Sequence, residues 1–424
     1  MAGLLVDLEP LRASTAFRRM WLGTSLSGIG TALTNVVVGL QVYDVTGSTA
    51  AVGLVGVFAV VPLVALGLYG GALVDAHDRR RVVLLTSSGL FLVAVAFAAQ
   101  AAAGGDDVRV LYGLVSLQNA LFAVNSPARS AIVPRLIGTR LLPAANALQS
   151  LSFGVSMTIG PLVAGALVGW ADYGWAYGVE AVLLLVALAT LYALPPMPPE
   201  GAVRRAGLAS VLEGLAFLRT RRNVRATFVV DLTAMVLAMP RVLFPAIGAT
   251  LLGGGATTVG VLTAGIAIGS FLAGLLSGPL GRVRRQGLAV VVAVAGWGLA
   301  VAAFGAVAHL APGPTASGGA SAVLWPAAAC MVVAGAADSV SAIFRSTILQ
   351  AATPDELRGR LQGVFIVVVA GGPRLGDVVL GWLGAGVGEA TAAVVGGLAC
   401  ALAVTAFALL QRGFLAYDAE HPTP

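Results

Sequence analysis

At 424 residues the chain is long enough for two or three soluble domains. Yet 58% of it is hydrophobic and only 10% is charged, with a mean hydropathy of +0.93; a water-soluble globule carries about 25% charged residues to cover its core, so the solvent of this chain is largely lipid. The net charge of +6 comes from arginines that punctuate apolar runs, whereas a nucleic-acid-binding protein clusters them on one basic face; nucleic acid is excluded as a partner.

A bilayer core of about 30 Å asks for about 20 apolar residues per helix. In chain order the runs that qualify are Trp21–Val42, Ala50–Val74, Val82–Ala103, Val110–Val133, Leu142–Trp170 and Trp175–Leu194. They continue with Ala226–Leu252, Thr257–Leu280, Leu288–Leu310, Ala322–Leu349, Leu361–Leu383 and Thr391–Gln411. The first run follows Arg18-Arg19, is too long for the apolar stretch of a signal peptide and lacks a small-x-small cleavage site, so it is expected to be retained as the first span. The expected fold class is all-α integral membrane, with twelve transmembrane helices and the lipid bilayer as a partner.

Loop arginines orient the spans. Arg12, Arg18 and Arg19 precede span 1; Arg79–Arg81 follow span 2, Arg135 and Arg140 span 4, Arg282, Arg284 and Arg285 span 8, and Arg358 and Arg360 span 10. The alternate loops hold Asp44, Asp106, Asp107, Asp172 and Glu389, with Arg109 as their one arginine. Both termini are therefore expected on the cytoplasmic side of the cell membrane. Pro195-Pro196-Met197-Pro198-Pro199 ends span 6, and a basic stretch follows. Within it Leu208, Val211, Leu212, Leu215 and Leu218 recur at helical spacing, which predicts an amphipathic helix on the membrane surface, either a plain linker or part of a gate. The expected domains are 1–194, a linker 195–225, and 226–424.

The two halves carry matching fragments. Arg129-Ser130-Ala131-Ile132 ends span 4 and Arg345-Ser346-Thr347-Ile348 ends span 10; Gly71-Ala72-Leu73 and Gly278-Pro279-Leu280 both precede arginines. The consistent offset, about half the chain, points to a duplicated six-span unit, a common plan in transporters.

The strongest local motif is Gly70-Gly71-Ala72-Leu73-Val74-Asp75-Ala76-His77-Asp78-Arg79-Arg80-Arg81. Gly71 permits close helix approach, Asp75 at a helix end can accept from neighbouring N–H groups or pair with arginine, and the arginines fix the turn. The stretch resembles motif A of the major facilitator superfamily, with Gly71, Leu73, Asp75, Arg79 and Arg80 matching, Ala76 in place of an arginine and Asp78 in place of a glycine. In span 5, Gly160, Pro161 and Gly165 are similar to motif C, which in that superfamily marks proton-coupled exporters; Ala147, Ser156 and Ala164 replace its glycines. Packing of small residues alone would give the same composition. Asn125-Ser126-Pro127-Ala128-Arg129, Leu142-Pro143-Ala144-Ala145-Asn146, Met239-Pro240 and Thr353-Pro354-Asp355-Glu356-Leu357-Arg358-Gly359-Arg360 resemble the enterobactin-exporter branch, which also holds drug:proton antiporters of the Tap-like and macrolide-efflux kinds. The resemblance implies the major facilitator fold of two pseudo-symmetric six-helix bundles. It also implies proton-coupled export of a small amphipathic molecule, a drug-like compound or a siderophore, by a protein working as a monomer. An importer of a small metabolite on the same fold is the alternative.

Ionisable residues inside spans are costly and are functional candidates by default. The second half holds Asp231 and Arg241 in span 7, Asp338 in span 10, and Arg374 and Asp377 in span 11; the first half is expected to bury mainly neutral polar groups, Asn35, Gln41, Gln118 and Asn119. In the fold that the resemblance implies, spans 1, 4, 7 and 10 line the cavity. Asp338 and Asp377 are then expected to exchange protons while Arg374 tunes them and Asp231 serves a gate, although a static salt-bridge network would use the same residues. Phe58, Phe122, Phe153, Phe244 and Phe344 are candidates for an apolar substrate wall. No nucleotide-binding loop, Asp-rich pair or metal-ligand cluster stands out, and Cys330 and Cys400 lie within apolar runs. Neither cofactor nor metal is expected, and a membrane-embedded enzyme is the least favoured reading.

Overall fold

The computed structural model of the chain describes residues 7–137, 141–198, 221–277, 280, 283–313, 319–351 and 355–418, with side chains described for all of these except 68–76, 143 and 350–370. The predicted amphipathic helix over 208–218 lies outside the described residues. The long helices are α1 (Thr15–Thr46), α2 (Thr49–Ala76), α3 (Arg79–Ala102), α4 (Val108–Ile137), α5 (Leu142–Trp170) and α6 (Tyr173–Tyr192). They continue with α7 (Arg222–Leu237), α8 (Gly255–Leu275), α9 (Gln286–His309), α10 (Leu324–Ala351), α11 (Asp355–Val387) and α12 (Glu389–Leu410). Ten helices among the described residues, counting α7 with its continuation to Thr250, are long and apolar enough to cross a membrane. The other two, α4 and α11, have 30 and 33 residues and carry the arginines and carboxylates read from the sequence.

Lipid as solvent explains the sequence pattern. Leu85, Leu92, Val182, Val292, Leu402 and Leu409 face outward, which would be a liability in water and is favourable against hydrocarbon. Two helix starts in the first unit are capped by carboxylates. Asp78 accepts from Arg81 N at 3.2 Å at the start of α3, and Asp172 accepts from Trp175 N at 2.9 Å at the start of α6. Those caps satisfy N–H groups that a helix leaves without partners.

The chain divides into two compact units, Met1–Gln41 with Phe58–Gly207, and Val42–Val57 with Leu208–Pro424. The start of α2 therefore groups with the second unit. Inside the first unit α3 packs on α4 and α6; inside the second, α9 packs on α10 and α12. The corresponding pairs are those expected of a duplicated plan. The first core gathers Phe17, Met20, Val83, Ile132, Leu148 and Leu191. In the second, a Cβ on Gly298 would lie 2.6 Å from Gly397 O, and one on Gly305 2.5 Å from Ala390 O, so α9 and α12 meet backbone to backbone. Close approach of this kind is how membrane helices gain packing energy without a hydrophobic drive.

One predicted element needs correction. Span 7 reads as continuous over Ala226–Leu252, but the helix stops at Leu237, passes through a 3₁₀ turn at Pro240–Leu243 and resumes over Phe244–Thr250. Pro240 has no N–H and forces the preceding Met239 out of the helical region, to φ −91°, ψ 96°. The carbonyl of Ala238, freed by the break, accepts from Trp297 Nε1 of α9 at 3.0 Å. Broken backbone at membrane depth is tolerated where protein groups satisfy it.

Candidate functional site

Arg241 stands in the 3₁₀ turn that interrupts span 7. Ten residues earlier on the same helix, Asp231 is buried and forms an ion pair with Arg345 of α10. Arg345 Nη2 also lies 3.6 Å from Asp338 Oδ1, two helical turns back on α10. On α11, Arg374 and Asp377 meet at 3.7 Å across one turn. Arg241 is within electrostatic reach of both Asp377 and Asp338. Six charged side chains from three helices thus form one cluster in the second unit.

The cluster has two layers. Arg345 and Asp231 are 7% and 4% exposed, whereas the Asp338 side chain is 47% exposed. Arg241 and Asp338 lie deep among protein atoms yet reach accessible surface, the condition of side chains lining a cleft rather than filling a core. A buried ion pair resists change because removing either partner strands the other charge. An accessible carboxylate can change its state without stranding a buried charge, with burial favouring its neutral form and a nearby arginine its charged form. The beginning of α2 packs on this region. A Cβ on Gly56 would sit 2.7 Å from Arg374 O, and Thr49 Oγ1 donates to Glu389 Oε1 at 2.6 Å.

The first unit repeats the arginine but not its partners. Arg129 of α4, the counterpart of Arg345 in the repeat, is buried and donates to Thr24 Oγ1 at 3.2 Å, Ser27 Oγ at 3.3 Å and Ser87 Oγ at 3.2 Å. Asn125 Nδ2 donates to Ser87 Oγ at 2.9 Å and Thr86 Oγ1 at 2.7 Å. Thr24 stands nine residues into α1 and Asp231 nine residues into α7, so hydroxyls stand where the second unit uses a carboxylate. No carboxylate among the described residues pairs with Arg129.

Elsewhere in the first unit, Glu180 of α6 is fully buried. Thr34 of α1 hydrogen-bonds its Oε2, and Gln118 Nε2 of α4 donates to its Oε1 at 3.1 Å. Tyr177, one turn earlier, donates to Gln41 Oε1 at 2.9 Å, and the Gln41 and Gln100 amides bond reciprocally at 3.3 and 3.0 Å. Beside the neutral polar groups expected to predominate in this half, two ionisable side chains that the expectation did not name, Glu180 and Arg129, are buried inside it. The signal for them was in the sequence. Glu180 falls within span Trp175–Leu194, and Arg129 and Arg345 fall within spans 4 and 10, where they served only as marks of the repeat.

The proposed cavity residues separate. Gln118 bonds Glu180, Gln41 bonds Tyr177 and Gln100, Asn119 Nδ2 donates to Val115 O of its own helix at 2.9 Å, and Asn35 is exposed on another face of α1 from Thr34. Of the candidate phenylalanine wall, Phe244 and Phe344 are buried, Phe244 edge-on to Phe304, while Phe58, Phe122 and Phe153 are exposed.

Motif A is described only at its arginines; the side chains of Gly71, Leu73 and Asp75 lie outside the described residues. Arg79 donates to Ala131 O at 3.3 Å and Arg80 to Tyr192 O at 2.7 Å, so they brace the ends of α4 and α6. Asp78, the departure from the motif, takes a second role: its Oδ2 accepts from Met197 N at 3.1 Å. In α5, Gly160 meets α1, where a Cβ would lie 2.6 Å from Ala32 Cβ and 3.0 Å from Ile29 O. Pro161 and Gly165 are buried beside it within a helix that continues through the proline.

Twelve membrane-length helices, organised as two six-helix units and carrying a charge cluster on helices 7, 10 and 11 of the second, define a transporter of the major facilitator fold. The chain belongs to the transmembrane secretion effector family, which it matches over residues 6–423. It is 28% identical over 382 residues to the enterobactin exporter EntS of Shigella boydii serotype 18, covering 90% of this chain and 88% of the relative. With the EntS protein of Citrobacter koseri the identity is 27% over 421 residues, 99% and 97% of the two chains. Among solved structures, the nucleoside transporter NupG superposes with a TM-score of 0.70 at 15% identity, over 92% of this chain and 98% of that one. A D-xylose–proton symporter gives 0.68 at 13%, over 91% and 96%. These structural likenesses establish the fold; cargo and direction do not follow from them.

Proposed function

We propose that the protein is a proton-coupled exporter of small amphipathic molecules, drug-like compounds or siderophores, working by alternating access as a monomer with both termini in the cytoplasm. The observation that carries the coupling is the layered charge cluster, in which Asp338 and Asp377 stand beside Arg241 and Arg374. Each carboxylate loses hydration through its surroundings and regains stability from a neighbouring guanidinium, and small rearrangements shift that balance. A change in which solvent reaches the cluster would then change its proton occupancy. The direction of transport and the size of cargo draw on the full-length relationship to proteins named enterobactin exporters. Cargo crosses chemically unchanged on this reading, and no cofactor takes part.

The test uses everted membrane vesicles from cells making the protein, loaded with enterobactin, a macrolide or a tetracycline under an imposed proton gradient. Accumulation that an uncoupler abolishes, and that Asp338→Asn removes at unchanged protein level, is expected. Uptake confined to right-side-out cells would overturn export, and normal transport by Asp338→Asn would overturn the role of that carboxylate.

A further inference from the structure

We propose that Glu180 is a second proton-carrying site, placed in the first unit and separate from the charge cluster, whose carboxyl is held neutral at rest and exchanges its proton during transport; the last part rests on the reading of the protein as proton-coupled. Glu180 is 0% exposed, and its hydrogen-bonding neighbours, Thr34 and Gln118, are neutral. No ion pair to Glu180 occurs among the described residues. An unpaired carboxylate taken out of water carries a penalty of several kcal/mol that hydrogen bonds from a hydroxyl and an amide offset only in part. A neutral acid fits the site without that penalty. With the proton on Oε2, the acid donates to Thr34 Oγ1 while Gln118 Nε2 donates to Oε1, and both oxygens are satisfied.

The surrounding elements supply no compensating charge. From α6 itself the titratable neighbours are Tyr177 and Tyr173. On α3 the arginines stand at the far end, where Arg80 binds the Tyr192 carbonyl, roughly 18 Å along the α6 axis from Glu180. On α4, the exposed Arg109 stands nine residues before Gln118, Arg129 is committed to three hydroxyls eleven residues beyond it, and Arg135 lies farther on. On α1, Arg18, Arg19 and Asp44 lie two turns or more from Thr34, and α5 contains no charged residue. Gly30 closes the α1 side, where a Cβ would meet Glu180 Cγ at 3.2 Å.

A second polar group lies one turn away on α6. Tyr177, on the same face of α6, bonds Gln41, and Gln41 bonds Gln100, which is half-buried two residues before the end of α3. On release the O–H bond of the acid breaks, its electron pair stays on Oε2, and the proton passes to water that reaches the site as the unit opens. The Thr34 hydroxyl then turns to donate to the new carboxylate, and Gln118 keeps its bond. Reloading reverses each step.

Glu180→Gln is the decisive variant, because glutamine matches the neutral acid in shape and can donate to Thr34 while accepting from Gln118. Purified parent and variant would be compared by infrared spectroscopy as pH is raised, together with thermal unfolding, and by enterobactin transport in proteoliposomes. The parent is expected to show a protonated-carboxyl C=O band at neutral pH that the variant lacks. The variant should keep the parent's Tm, lose proton-gradient-driven transport and retain enterobactin counterflow, with Glu180→Asp restoring part of the driven transport. An identical band in the variant, or a variant that unfolds where a neutral isostere should fit, would overturn the assignment. Gradient-driven transport by Glu180→Gln at the parent's rate and pH profile would also overturn it, leaving the reading of the charge cluster intact. Parent transport that ignores the proton gradient would instead overturn the coupling reading and with it the part of Glu180 in a cycle, while the infrared band still decides whether it holds a proton.

Discussion

Arg345 and Arg129 show how differently one side chain can be accommodated in the same kind of place. Arg345 is held by Asp231 and approached by Asp338, whereas Arg129 is held by Thr24, Ser27 and Ser87. Asp231→Ala should therefore be costly. It removes the buried partner and leaves the guanidinium with one carboxylate at the edge of contact, a loss of about 3–5 kcal/mol for a broken buried pair. Thermal unfolding in detergent would register it as a clear drop in Tm. Arg374→Ala, at a pair that is partly exposed and joined at 3.7 Å, should stay within about 1 kcal/mol of the parent. Equal effects from the two variants would mean that the layering of the cluster has been misjudged.

At the level of the helix, the turn that breaks span 7 carries Arg241, which lies within electrostatic reach of Asp338 and Asp377. Its cost is one freed carbonyl, and Trp297 offsets it with the bond to Ala238 O. Trp297→Phe keeps the ring and removes the donor, so a destabilisation of about 1–3 kcal/mol is expected, together with altered transport because Arg241 rides on the turn. An unchanged Tm would show that water or another donor already serves that carbonyl. The helices themselves were legible in the sequence because lipid demands long apolar runs, and alternating basic loops gave an even count. The break was not, although Pro240 was in plain sight: hydropathy averages over an apolar proline and does not register a missing hydrogen bond. Arg374 and Asp377 were legible as a pair because they are one turn apart on a single helix. Glu180 was not, because Thr34 and Gln118 lie 146 and 62 residues away and nothing local says what faces a lone carboxyl in an apolar span.

Across the whole molecule, duplication followed by divergence accounts for most of what distinguishes the units. The repeated arginine marks equivalent places in α4 and α10, and the residue facing it from α1 or α7 is Thr24 in one unit and Asp231 in the other. If these places are equivalent, Thr24→Asp should be tolerated despite burying a carboxyl, since Arg129 would receive it as a counter-charge; a Tm at or above the parent's is expected, and an unfolded variant would contradict the equivalence. The division of labour that results puts charged, partly accessible groups in the second unit and an uncharged network around Glu180 in the first. Both are read here as places where a proton is held, and the central claim is that proton movement opposes cargo movement. Purified protein in proteoliposomes, with a trapped pH indicator and an imposed enterobactin gradient, measures this directly. Protons moving against the cargo, and stopping with Asp338→Asn, is the outcome the account predicts; protons moving with the cargo, or cargo moving with no proton flux, would contradict it.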